Sequence, residues 1–279
     1  MAVTENQIMR YITESPSKVA FLHLQRHFCA AHRMKPRVLK AMVARMIRAG
    51  DLRYTALFGT SYLERSYDQP RAVSEHIVLK PAETNWPANQ NQQVVSLARG
   101  AAFGAGEHPT TRMAIQLIDA ALHAPPWNVA LAALKAIDIG TGSGVLAIVA
   151  AKMGFGWVAA VDTDPNAVFE ARKNVRLNQL ESRISVGEGS LEASDGRYDL
   201  AIANLRTPTL VGLSWALDKT LMPDSMLILS GIRPDETTSI AEKYQAIGFF
   251  VQNNRKEKGW AALCLARGQI RDVMARPLA

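Results

Sequence analysis

The chain has 279 residues, of which 48% are hydrophobic and 20% charged, with a formal net charge of +7. That exceeds one average domain and is apolar enough for a sizeable core, so disulfides are not needed for stability. The two cysteines lack C-x-x-C spacing, no apolar run reaches membrane-spanning length and no secretory pattern opens the chain, which excludes a disulfide framework, a zinc site and a membrane span and predicts a cytoplasmic protein.

The charge is uneven. Residues 1–70 carry 11 Lys/Arg against 5 Asp/Glu, whereas the remainder is close to neutral at 21 against 20. Thr4-x-x-Gln7 is a capping-box pattern, and Ile8, Tyr11 and Ile12 follow at helical spacing. A second helix is expected from Lys18 to Ala31. A third runs between Pro36 and Gly50, with Val38, Leu39, Met42, Val43, Met46 and Ile47 on one face and Arg37, Lys40, Arg45 and Arg48 on much of the rest. Residues 51–55 and 61–64 alternate like a small hairpin. Three helices and a ribbon make residues 1–70 resemble a winged-helix module that binds a substrate or partner. Its basic helix could meet nucleic-acid phosphates, or could be a solvated face on a domain that grips a protein or ribosomal surface.

Residues 71–93 read as a linker with one short strand at 76–80. From 94 to 279 strands and helices alternate, with strands expected at 135–139, 157–162, 183–187, 198–203 and 225–230. Helices fill about 144–154, 165–178, 209–221 and 235–247, and strands 249–254 and 260–266 make a closing hairpin. This predicts an α/β domain with a doubly wound, mostly parallel seven-stranded sheet.

Ligands of such sheets sit beyond the carboxyl ends of the strands. Residues 137–144 read Ile-Asp-Ile-Gly-Thr-Gly-Ser-Gly, and Asp162 closes the next strand. Gly140 and Gly142 would let a ligand approach the backbone, and Asp162 would accept hydrogen bonds from a ribose diol. The spacing is not the G-x-G-x-x-G of a dinucleotide fold, and Asp138 would repel a pyrophosphate. A carboxylate there suits a cationic ligand such as S-adenosylmethionine. Three further segments are expected at the site. The loop 103–111 brings Thr110 and Thr111, whose hydroxyls could bind a ligand or cap the next helix; His108 has no partner spacing for a metal or a triad. Gly189-Ser190 stands where an adenine would be edged. Asn204 ends the fourth strand, where its amide could orient an attacking amine without restoring that amine's charge.

Taken together, the segments Phe103-Gly104-x-Gly106-x-His108-Pro109-Thr110-Thr111, Asp138-x-Gly140-x-Gly142-Ser143-Gly144, Val161-Asp162-x-Asp164-Pro165, Gly189-Ser190-Leu191-Glu192, Ala203-Asn204-Leu205, Ser230-Gly231-Ile232 and Gly259-Trp260 resemble the PrmA-type methyltransferases, which modify ribosomal protein L11. The resemblance covers roughly residues 94–266. It implies a class I S-adenosylmethionine-dependent methyltransferase fold in which Thr111, Gly140, Asp162 and Asn204 contact the cofactor, with Asn204 also facing the substrate. The implied activity is N-methylation of a protein lysine or N-terminal amine. Two departures stand out: residues 1–70 do not read as the family's usual ferredoxin-like domain, and Asn204-Leu205 continues as Arg206-Thr207-Pro208-Thr209 rather than as a small-residue run. Two other functions fit the pattern, a nucleic-acid methyltransferase directed by the basic helix and a cofactor-responsive DNA-binding regulator without catalysis. The base-modifying Asn/Asp-Pro-Pro-Tyr motif is missing after strand four.

Overall fold

A computed structural model describes residues 3–15, 17–57, 59–66, 68–98, 108–123, 130–191 and 196–270. The chain forms two compact units, Met1–Pro70 and Arg71–Ala279.

In the first unit, the capping box forms at α1 (Glu5–Glu14): Thr4 N donates to Gln7 Oε1 at 2.9 Å and Gln7 N to Thr4 Oγ1 at 3.3 Å. The second helical stretch starts later than its hydrophobic pattern predicts. Val19 is drawn into a bridge with Leu63, so α2 begins at Phe21 (Phe21–Leu24) and continues through a π-helical turn, Gln25–Cys29, into α3 (Ala30–His32). Pro36 opens α4 (Pro36–Arg48), which buries Leu39, Met42, Val43 and Met46. These meet Ile8, Ile12, Leu24, Phe28, Leu52 and Leu63 in one core under the antiparallel hairpin of β1 (Leu52–Leu57) and β2 (Thr60–Arg65).

The second unit contains two sheets. The short strand expected at 76–80 is present as β4 (Ile77–Pro81), but it does not stand alone in a linker: it pairs with β3 (Arg71–Ala72) and in parallel with β5 (Gln93–Leu97). Val73, Ile77, Leu79, Val95 and Leu97 are buried in the same core as α5 (Pro109–His123), so these strands are structural members of the unit.

The larger sheet is built from β6 (Lys135–Ile139), β7 (Trp157–Asp162), β8 (Ile184–Glu188), β9 (Tyr198–Asn204), β10 (Leu221–Ile232), β11 (Phe250–Glu257) and β12 (Trp260–Arg267), in the order β11-β12-β10-β9-β6-β7-β8. Only β12 runs antiparallel to its neighbours. Alternate residues enter opposite faces: Ala136, Ile202 and Ile228 join the core with α5 and α6 (Val145–Lys152). Ile137, Ala201, Ala203, Leu227 and Leu229 join the one covered by α8 (Thr207–Thr220) and α9 (Thr237–Gln245). α7 (Pro165–Leu177) is capped by Asp164. Strand order reverses between β6 and β9, and their carboxyl ends therefore splay around a crevice. Among the described residues no helix is long and apolar enough to cross a membrane.

Candidate functional site

The crevice is a cleft of about 590 Å³ lined by Gly140, Gly142, Asp162, Ser190, Asn204 and Trp260, among others. Its floor is the β6–α6 turn. Gly140 and Gly142 hold φ values of +69° and +57°, a region that side chains disfavour, and so the turn exposes bare backbone to the cleft. Asp162 fastens it from the next strand: Oδ2 accepts from Gly142 N at 2.8 Å, and Oδ1 from Asp164 N at 3.0 Å. One carboxylate thus shapes the glycine turn and still presents lone pairs to the cleft.

Asp138 does not do what its position in the sequence predicts. It is 1% exposed and does not line the cleft. Its Oδ2 accepts from Thr141 Oγ1 at 2.7 Å and from Ala147 N at 3.1 Å, so it ties the turn to the first turn of α6. Burial pushes its carboxyl up to about 7, against the two hydrogen bonds, with the Asp162 charge adding to the rise. The carboxylates fronting the cleft are Asp162 and Asp164. Replacing Asp138 with alanine strands two buried donors and is expected to cost about 2–3 kcal/mol in denaturant unfolding. Between about pH 4 and pH 7 folded Asp138 holds a proton that the unfolded chain has lost, so this group's stabilisation declines as pH rises. Asp138→Asn keeps an acceptor without the charge. It should gain on the wild type by on the order of 2–4 kcal/mol between pH 4 and pH 8; a pH-independent difference between the two would contradict the shift.

Across the cleft, Asn204 ends β9. Its Nδ2 donates to Thr111 Oγ1 at 3.4 Å, leaving Oδ1 as the end available to a substrate donor. Thr111 is fully buried and does not line the cleft. Its hydroxyl stands behind Asn204 as a support for the amide. Thr110 and His108 do line the cleft. His108 Nδ1 meets Thr110 Oγ1 at 2.8 Å, and Thr110 N donates to the same nitrogen at 3.4 Å, which assigns the neutral ring's proton to Nε2. Burial and then the Arg112 charge lower the His108 pKa, Glu257 opposes, and Arg206 lowers it further. The ring packs edge-on to Trp260 at 5.2 Å. Residues 103–107 and Glu192, expected at the site, lie outside the described residues.

Sequence reasoning overlooked the rim. Arg206 and Arg233, at the ends of β9 and β10, both reach Trp260. The signal was present, because side chains just past parallel strand ends face the crevice.

The model of the family described as ribosomal protein L11 methyltransferase (PrmA) matches residues 62–268. The chain belongs to this family. Family members named ribosomal protein L11 methyltransferase include one from Geotalea uraniireducens, 32% identical over 71% of this chain and 64% of that protein. Another, from Clostridium perfringens, is 34% identical over 70% and 60% respectively. The chain therefore spans less than two thirds of the length of these curated relatives. A solved ribosomal protein L11 methylase from Lactobacillus delbrueckii subsp. bulgaricus superposes with a TM-score of 0.62 at 28% identity, over 71% of this chain and 98% of that one. The PrmA-family sheet here, with its single antiparallel strand next to the edge, is that of a class I S-adenosylmethionine-dependent methyltransferase.

Proposed function

We propose that this PrmA-family chain is an S-adenosylmethionine-dependent N-methyltransferase acting on a protein amine, with a ribosomal protein as the acceptor class that the relatives' names support. The observation that carries the reading is the pairing across one cleft of Asp162, on the bare glycine turn, with Asn204, whose amide nitrogen is engaged by Thr111.

The donor set fits the cofactor. Asp162 offers lone pairs to ribose hydroxyls, Gly140 and Gly142 leave room for the amino-acid end, and Ile139, Ala167, Leu191 and Leu213 supply apolar wall. Ser190 sits where a ring edge would meet a polar side chain. The bound cofactor would supply an electrophilic methyl group on a sulfonium. Everything left to the protein is positioning: Oδ1 of Asn204 accepts one N–H of the entering amine and turns its lone pair toward the methyl carbon. Thr111 fixes the amide so that the oxygen, not the nitrogen, is presented. In this reading residues 1–70 are a winged-helix-like module that docks the acceptor protein, and the enzyme works in the cytoplasm.

Calorimetric titration with S-adenosylmethionine tests the reading, and absence of binding would sink it. Incubation with labelled cofactor and ribosomes should place the label on protein rather than RNA. Asn204→Ala is expected to slow transfer about 100-fold while changing cofactor affinity by no more than about threefold, because orientation and not cofactor anchoring is lost. Equal losses in both would argue against its substrate-side role.

A further inference from the structure

The cleft rim carries charges that holding the cofactor does not use. β9 and β10 end side by side: Leu205 N donates to Ser230 O at 3.0 Å, and a Cβ added to Gly231 would lie 2.3 Å from the Leu205 carbonyl oxygen. This close approach delivers Arg206 and Arg233 to one ring, their Cζ atoms 5.2 and 5.1 Å from the centre of Trp260. Arg233 is also seated against the β11–β12 turn, its Nη1 3.9 Å from where a Cβ of Gly259 would be. Arg206 and Trp260 line the cleft together with Asn204.

Among the described residues the charged groups around this pair are partly engaged with other partners. Arg112 is engaged by Glu257, and His108 is kept toward its neutral form. Glu236 Oε2 accepts from Thr207 Oγ1 at 2.6 Å and from the Arg233 backbone N at 2.8 Å; these bonds, and then the Arg206 and Arg233 charges, lower its pKa, so its single negative charge offsets part of the pair's. Among the described residues neither Arg206 nor Arg233 has an ion-pair partner within 4 Å, and both are exposed. A guanidinium held on an aromatic ring keeps its N–H edges for a planar, bidentate acceptor, and a carboxylate matches that fork.

We propose that Arg206 and Arg233 form a carboxylate-reading rim, so that the acceptor amine is drawn from an acidic stretch with Asp or Glu beside the methylated residue. The inference rests on the methyltransferase reading and names its substrate class.

The test uses the full chain saturated with S-adenosylhomocysteine, and fluorescein-labelled peptides of a common sequence in which one lysine is flanked by Asp, Ala or Arg. Fluorescence anisotropy should show the Asp-flanked peptide binding about tenfold tighter than the other two, the scale of two partly exposed charge pairs. In the double variant Arg206→Ala/Arg233→Ala the preference falls to about one, and in Arg206→Glu/Arg233→Glu it inverts toward the Arg-flanked peptide. Because each preference is a ratio within one preparation, a partly unfolded variant does not mimic the result. Equal binding of the three peptides, no measurable binding of the Asp-flanked one, or a preference that survives both double variants overturns the inference. Failure of S-adenosylhomocysteine to bind in calorimetry counts against the methyltransferase reading instead. Binding of S-adenosylhomocysteine without an acidic preference counts against the rim alone.

Discussion

Replacing Asp162 with alanine is expected to weaken S-adenosylmethionine binding roughly 100-fold, about 3 kcal/mol. Two losses combine. The ribose loses a charged acceptor, and hydrogen bonds to charged groups are worth about 1.5–3 kcal/mol each. The glycine turn loses the acceptor for Gly142 N, so the floor that should receive the amino-acid end is no longer fixed before binding. Asp162→Asn separates the two, because its amide oxygen can still take one N–H while the charge is gone; its loss should be about tenfold. Isothermal titration of the three proteins is the measurement. A change below threefold in Asp162→Ala would be incompatible with a ribose contact at this carboxylate.

Gly231→Ala is expected to destabilise the fold by about 3 kcal/mol or more and to abolish transfer. The residue holds φ +85° at the bulge in β10, already unfavourable for a side chain, and its new Cβ would fall 2.3 Å from a backbone oxygen that no rotamer change can move. Relief requires shifting Leu205, and with it Asn204 and Arg206 on either side. Denaturant unfolding should therefore show a lowered midpoint at constant slope, and turnover should remain absent under conditions where the variant is still folded. Wild-type stability in this variant would mean that the two strand ends are not in the contact described.

Much of the α/β unit was legible in the sequence. The alternation of strands and helices from residue 135 onward is a local pattern, and β6, β7 and β9 lie within a residue or two of where apolar runs place them. Boundaries failed where a distant segment intervened. The start of α2 was lost to Val19 because Leu63, more than forty residues away, claimed its backbone. Residues 71–93 looked like a connector because β3 has two residues and the partner of β4 begins only at Gln93. No local period announces a parallel pairing across that gap.

The candidate site divides in the same way. Gly140, Gly142, Asp162, Ser190 and Asn204 follow strand ends in the chain, and the crevice rule is enough to gather them. The sequence by itself therefore determined the sheet, the glycine turn and the list of side chains at its mouth, because these depend on residues within one βα unit. Only the tertiary structure decided which way each side chain works. Asp138 is turned into the core by Thr141 and Ala147, Thr111 is set behind Asn204, and Arg206 and Arg233 converge on Trp260 from separate strands. Burial, proton affinity and charge pairing depend on what packs against a residue from elsewhere in the chain, and the register of β9, β10 and β12 supplies that packing.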